Sequence, residues 1–143
     1  MVNPEKVHRL LHSLEDALFQ LRKIASMGWE NYSKDSLAMG AAKYYLQTGI
    51  EACIDIGNHI ISSEGYRPPK DYRDVFTILL ENEIIPDEVA HLLGQMAGLR
   101  NRLVHLYWQI DEELIYKYMK SNLIDFERYS QLILEFLKQS NES

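Results

Sequence analysis

Val7, Leu10, Leu11, Leu14, Leu18 and Leu21 recur at steps of three and four, and that rhythm governs nearly the whole chain. An α-helix turns about 100° per residue, so residues spaced this way form one apolar stripe. A half-buried strand needs strict alternation, and no segment shows it. Asn3 before Pro4 is a capping residue followed by proline at the first helical position, and Gly28 is expected to end that first helix. A second long helix is expected from about Ser36 to Ser63, with Leu37, Ala41, Tyr44, Ile50, Cys53, Ile54, Ile60 and Ile61 as its apolar set. Gly65-Tyr66-Arg67-Pro68-Pro69 breaks it, because glycine releases a helix and paired prolines cannot continue one. A short helix follows, about Tyr72 to Glu81. Pro86 opens another, with Asp87 and Glu88 where carboxylates favour the helix dipole, and it is expected to reach about Trp108. Asp111 caps the last helix, backed by Glu112 and Glu113, and Leu114, Tyr118, Ile124, Phe126, Ile133, Leu134 and Leu137 give it apolar contacts. The polar tail 139–143 is expected to fray. The sum is an all-α antiparallel bundle of four long helices and one short one, a single domain over residues 1–143.

The charge balance narrows the function. With 15 lysines and arginines against 21 acids, the net charge is -6, which gives no global footprint for nucleic acid. RNA or DNA chemistry must therefore come from a local basic patch, one that a dimer would double. The one cysteine, Cys53, excludes an intrachain disulfide and suits a reducing cytosol. Met1-Val2-Asn3-Pro4-Glu5 lacks the basic and apolar regions of a secretory signal, and charges interrupt every apolar run before a membrane span. A soluble cytoplasmic protein is expected.

Chemistry concentrates in Arg100-Asn101-Arg102-Leu103-Val104-His105-Leu106-Tyr107. No aspartate or glutamate occurs from His91 to Ile110, so these cations have no local neutraliser. On an ideal helix Leu99, Leu103 and Leu106 face the core, while Asn101, His105 and Trp108 share a neighbouring face. Arg100 and Tyr107 lie close to one line, but Arg100 and His105 are about 140° apart. That geometry favours a site shared between two subunits. These residue types permit RNA cleavage without metal. An imidazole, with an unperturbed pKa of about 6.5, can take the proton of a ribose 2′-hydroxyl or give one to the leaving oxygen. A guanidinium can grip the phosphate and stabilise charge that grows in the transition state. Asn101 is placed to orient the imidazole or donate to a phosphate oxygen. Read from spacing alone, the same histidine and arginines also fit an ordinary solvated helix face.

The segment resembles the Arg-x4-6-His motif of the HEPN superfamily, in the Arg-x4-His-x-Tyr form of HepT-type toxins. The likeness covers about residues 5 to 135. Glu51-Ala52-Cys53-Ile54-Asp55-Ile56-Gly57-Asn58-His59-Ile60-Ile61 is similar to the family's second helix, and Asp71-Tyr72-Arg73-Asp74-Val75-Phe76-Thr77-Ile78-Leu79-Leu80 to its third. Met96 to Tyr107 is similar to the family signature, and Ile110-Asp111 continues it. The resemblance implies a helical bundle that dimerises and brings two Arg–His motifs to one cleft. It implies a metal-independent endoribonuclease, the toxin of a toxin–antitoxin pair, with RNA as substrate and no cofactor. By position, Arg100 and His105 would be catalytic and Asn101 supporting. Tyr107 would be the target of a small nucleotidyltransferase antitoxin that transfers adenylate and silences the toxin. A bulky anionic adduct there would block phosphate entry by volume and charge. Arg102 lies in the variable spacer and takes no role.

Other constellations have plainer accounts. Glu5-Lys6-Val7-His8 and Glu88-Val89-Ala90-His91 are both Glu-x-x-His, a pattern of di-iron bundles, but both glutamates follow helix-opening prolines where the dipole explains them. His8 and His12 fit a solvated face. Tyr66, Arg67, Lys70, Tyr72 and Arg73 interleave rings and bases, and Glu64, Asp71 and Asp74 balance them. Cys53 reads as core, Asp55 as a hydrogen-bonded, interface or active carboxylate, and Tyr44, Tyr45, Tyr116 and Tyr118 as packing residues with a polar tip. No phosphate loop, dinucleotide fingerprint, paired-cysteine motif or nucleophile elbow is present. The alternative to an enzyme is a non-catalytic helical dimer that binds a nucleotidyltransferase partner or nucleotide.

Overall fold

The computed structural model describes residues 1–142, and the helix boundaries follow the capping chemistry closely. Helix α1 (Pro4–Ala25) starts where the Asn3 side chain accepts from the Glu5 and Lys6 amides at 3.1 and 3.3 Å. It ends at Ser26, and Gly28, with φ +82°, turns the chain into a single helical turn, α2 (Trp29–Tyr32). Asp35 caps α3 (Ser36–Glu64), and Gly65 closes it in the left-handed conformation that only glycine adopts without strain. Asp71 caps α4 (Tyr72–Glu81), and Pro86 precedes α5 (Asp87–His105). A 3-10 turn (Tyr107–Gln109) leads to α6 (Glu112–Ser121) and α7 (Leu123–Glu142).

The four long helices are present as expected. Several expected limits fail. The helix expected to reach Trp108 stops at His105, because Leu106 leaves helical geometry at φ −132° and ψ 39°. Tyr107 and Trp108 therefore do not continue the α5 faces assigned to them. The last helix is two, because Asn122 (φ −118°, ψ 1°) interrupts it and its side-chain amide donates to Asp125 at 3.1 Å. With α2 and α6, three short helices are seen among the described residues instead of one. Residues 139–142 continue α7 where fraying was expected, and Ser143 lies outside the described residues.

Helix α1 runs antiparallel along α3. The amino terminus donates to the Ser63 carbonyl at 3.1 Å and the Asn3 amide donates to His59 Nε2 at 3.0 Å, while Gly49 faces Leu14 and Ala17 near the middle. The α1 stripe, with Val7, Leu11, Leu14, Leu18 and Leu21 buried, closes this pair. On its other side α3 meets α4, which lies along α5. Gly57 makes that approach possible, since a side chain there would collide with buried Val75. Helix α7 completes the core, where the buried Tyr129 hydroxyl donates to the Cys53 carbonyl at 2.9 Å and its ring meets Phe76 edge-on. Cys53 is fully buried, as expected, and burial pushes its thiol pKa up. No helix among the described residues is long and apolar enough to cross a membrane.

Candidate active site

Arg100 projects from α5 toward α3. Its Nη2 and Nε donate to one oxygen of Glu51 at 2.9 and 3.2 Å, and its Nη1 donates to Asn101 Oδ1 at 3.3 Å. The guanidinium lies over the Tyr72 ring at the start of α4, 5.0 Å from its centroid. Glu51, Ile54, Asp55, Tyr72 and Arg100 line a cleft of about 250 Å³. Glu51 and Asp55 are one turn apart on α3, so both carboxylates reach the same mouth. The Asp55 carboxyl is raised above the usual range, first by partial burial and then by the Glu51 charge, against the pull of Lys6 and Arg100.

This overturns one expectation. The acid-free stretch His91 to Ile110 does not leave Arg100 without a neutraliser, because Glu51 supplies one from another helix. The ion pair is well sheltered, with side-chain exposures of 16% for Arg100 and 33% for Glu51. A phosphate entering this cleft must displace or share that contact.

His105 is the last residue of α5 and faces solvent. Arg100 is engaged by Glu51, Asn101 and Tyr72, and among the described residues no hydrogen bond joins its guanidinium to the imidazole. Asn101 Oδ1 accepts from the guanidinium, and among the described residues no hydrogen bond links Asn101 to the imidazole. Arg102 is exposed. Around the helix end, Val104, Leu106, Tyr107 and Trp108 are all exposed, Trp108 at 75%. Four apolar or aromatic side chains in five positions thus form one exposed run. Tyr107 stands beside Lys43 of α3, whose amine is 4.6 Å from the ring centroid.

Glu51 and Lys43 are the residues sequence reasoning did not place at the site. Glu51 left one signal: with Asp55 it forms a carboxylate pair at helical spacing in an otherwise apolar run. The remaining constellations are accounted for elsewhere. Glu88 pairs with Arg128 at 2.8 Å, and His12 with Asp16 at 3.6 Å. Arg67 is held by Asp74 and Glu81 at 2.7 and 2.8 Å, which fixes the loop before α4. Among the described residues no three His, Cys, Asp or Glu side chains gather as metal ligands would.

Comparison with known proteins gives the chain's family. A family model described as ribonuclease HepT-like matches residues 14–133. The mRNA nuclease HepT of Shewanella oneidensis is 38% identical over 88 residues, 62% of this chain and 66% of that protein. The tRNA nuclease HepT of Aphanizomenon flos-aquae is 27% identical over 138 residues, 95% of this chain and 92% of that one. Among solved structures, the tri-AMPylated Shewanella oneidensis HEPN toxin in complex with its MNT antitoxin superposes with a TM-score of 0.84 at 27% identity, covering 90% of this chain and 96% of that one.

Proposed function

The chain belongs to the HepT-like ribonuclease family, and from that premise we propose that it is a metal-independent endoribonuclease toxin, working as a homodimer and silenced by adenylylation of Tyr107. Relatives are described as mRNA and tRNA nucleases, and a similar structure is a tri-AMPylated toxin bound to an MNT antitoxin. The observation that carries the reading is the cleft at Arg100. A fixed guanidinium lies over an aromatic ring at one side of α5, and a solvated imidazole ends the same helix.

In this reading Arg100 grips the scissile phosphate and Asn101 supports the guanidinium. His105 takes the proton from the ribose 2′-hydroxyl, and that oxygen attacks the adjacent phosphorus. The bond from phosphorus to the 5′-oxygen breaks as the imidazole of a second copy protonates the leaving oxygen. The products carry a 2′,3′-cyclic phosphate and a 5′-hydroxyl. Two copies are needed because the base and the acid are separate imidazoles, and this position supplies one per chain. The exposed Val104, Leu106 and Trp108 supply the apolar surface for that pairing. The required 2′-hydroxyl restricts the activity to RNA. The antitoxin partner is a small nucleotidyltransferase. An adenylate on Tyr107, two residues past His105, would fill the approach to the cleft and repel phosphate.

The experiment is cleavage of single-stranded RNA by the purified chain in EDTA. Wild type cuts, and His105→Ala abolishes cutting. Cleavage at the wild-type rate by that variant would remove His105 from the mechanism.

The Glu51–Arg100 ion pair favours a second reading, a non-catalytic dimer that binds a nucleotidyltransferase partner or nucleotide. It predicts normal partner binding with no RNA cleavage by either wild type or variant.

A further inference from the structure

Four elements meet beneath Tyr107. Lys43 comes from α3, Glu112 from the start of α6, Tyr32 from α2, and Tyr107 from the 3-10 turn. The Lys43 ammonium donates to one oxygen of Glu112 at 2.5 Å, and the Tyr32 hydroxyl donates to the other at 3.0 Å. Tyr32 is fully buried, and its ring packs against Trp29 and Tyr116. The Lys43 side chain is only 13% exposed, while Tyr107 above it is 48% exposed. A desolvated, immobilised cation thus sits under a phenol that faces solvent.

Packing alone does not call for this arrangement. A sheltered ion pair is costly to desolvate, and apolar residues of similar volume usually stabilise a fold as well or better. Nor is this a wandering surface lysine, since both the ion pair and the Tyr107 ring fix its amine. Burial pulls the Lys43 pKa down, but the hydrogen bond and charge of Glu112 outweigh it, and Tyr107 adds in the same direction. The amine stays charged.

We propose that Lys43 is the built-in cation that receives the adenylate phosphate on Tyr107. The inference rests on Tyr107 being the modified residue. In the transfer, the phenol oxygen attacks the α-phosphorus of a nucleoside triphosphate carried by the partner enzyme. The new oxygen–phosphorus bond forms as the bond from that phosphorus to pyrophosphate breaks, and pyrophosphate leaves with the electron pair. The phenolic proton passes to solvent or to a base on the partner. Lys43 offsets the negative charge that grows on the phenol and phosphoryl oxygens during this step. Afterwards the diester retains one negative charge. An ammonium has three donors, so Lys43 can serve that phosphate while keeping Glu112. The acceptor chain itself therefore carries part of the machinery for its own silencing.

The test is single-turnover adenylylation of the full chain by its nucleotidyltransferase with Mg-ATP, read by intact mass. Removing both charges together, in Lys43→Met with Glu112→Gln, avoids leaving either one buried and unpaired, and a thermal melt checks that the variant is folded. We expect that double variant to be adenylylated about tenfold more slowly at saturating ATP, with the KM for ATP unchanged. Glu112→Gln alone frees Lys43 of its counter-ion and should run about threefold faster than wild type. Lys43→Arg keeps the charge and should retain most of the rate. A double variant that keeps pace with wild type would show a merely structural ion pair and overturn the role of Lys43. Glu112→Gln as slow as the double variant would overturn it too, since the pair and not the cation would then matter. Wild type that gains no adenylate, or Tyr107→Phe that gains as much, would instead sink the reading of Tyr107, and this inference with it.

Discussion

Glu51 on α3 grips the guanidinium of Arg100 on α5 with a single carboxylate oxygen, 2.9 Å from Nη2 and 3.2 Å from Nε. The contact orients the arginine that the proposed reaction needs. It also places a negative charge where the RNA phosphate must come, with Asp55 one turn away. Both effects act on the same group, and substitution can separate them.

Glu51→Gln keeps an acceptor for the guanidinium and removes the charge. RNA should then bind roughly threefold to tenfold more tightly at low salt, because one repulsive charge has left the cleft. The measurement is fluorescence anisotropy with a short single-stranded RNA, made in a His105→Ala background so that nothing is cut. Weaker binding by the glutamine variant would show that Glu51 acts only by orienting Arg100.

Gly57 and Gly40 share α3 but should respond oppositely to alanine. A methyl at Gly57 would overlap Val75, a β-branched residue fully buried on α4 with little freedom to turn. Overpacking there outweighs the helix-propensity gain, and the expected loss is roughly 1–2 kcal/mol. Nothing lies within 4 Å of a methyl built at Gly40, so the propensity gain of up to about 1 kcal/mol stands alone. Urea midpoints of the two variants decide the matter, and a stabilised Gly57→Ala would mean that the α3–α4 contact yields easily.

Arg67 holds the Asp74 carboxyl down at about 2, first through its hydrogen bonds to that carboxylate, helped by the Lys70 amide. A depressed folded-state pKa stabilises above the unfolded value of about 3.9 and loses that contribution as pH falls toward 2. The wild type should therefore lose stability between about pH 4 and pH 2 more steeply than Arg67→Gln, in which the pull on Asp74 is relaxed. Urea midpoints at pH 5 and pH 2.5 give the comparison. Equal slopes would mean that the Arg67–Asp74 contact does not hold this loop in solution.

The bundle was legible because its helix ends are written in local chemistry. Asn3-Pro4, Gly65 and Pro86 cap or break the chain through their own side chains and ring constraints, and the structure uses each in that way. Leu106 carries no such mark. It is a good helix former, and the chain leaves the helix there all the same, so periodicity carried α5 too far. The break at Asn122 did leave a trace, a capping residue with Asp125 three positions on, hidden inside a continuing apolar rhythm. At the site, Arg100, His105 and Tyr107 stand out through one motif. Glu51 and Lys43 reach them across 49 and 64 residues of chain, and helical spacing says nothing about which faces of separate helices meet.

The two-copy cleft makes a quantitative prediction. Each chain ends α5 with one exposed imidazole, so an acid–base pair of histidines at this cleft takes one from each chain. Mixing equal amounts of wild type and His105→Ala, with time for subunits to exchange, pairs chains at random. About one quarter of the dimers are then wild type on both sides and about half are hybrids. If each cut requires both histidines, the hybrids are inactive and total RNA cleavage settles at about one quarter of that from the same total amount of wild-type dimer. If each chain works alone, it settles at about one half. Trp108→Glu supplies the companion measurement, since a charge on the exposed aromatic surface should turn the chain monomeric by sedimentation and abolish cleavage while leaving the helical signal intact. A mixture holding at one half, or a monomeric variant that still cuts, would require a site complete within one chain.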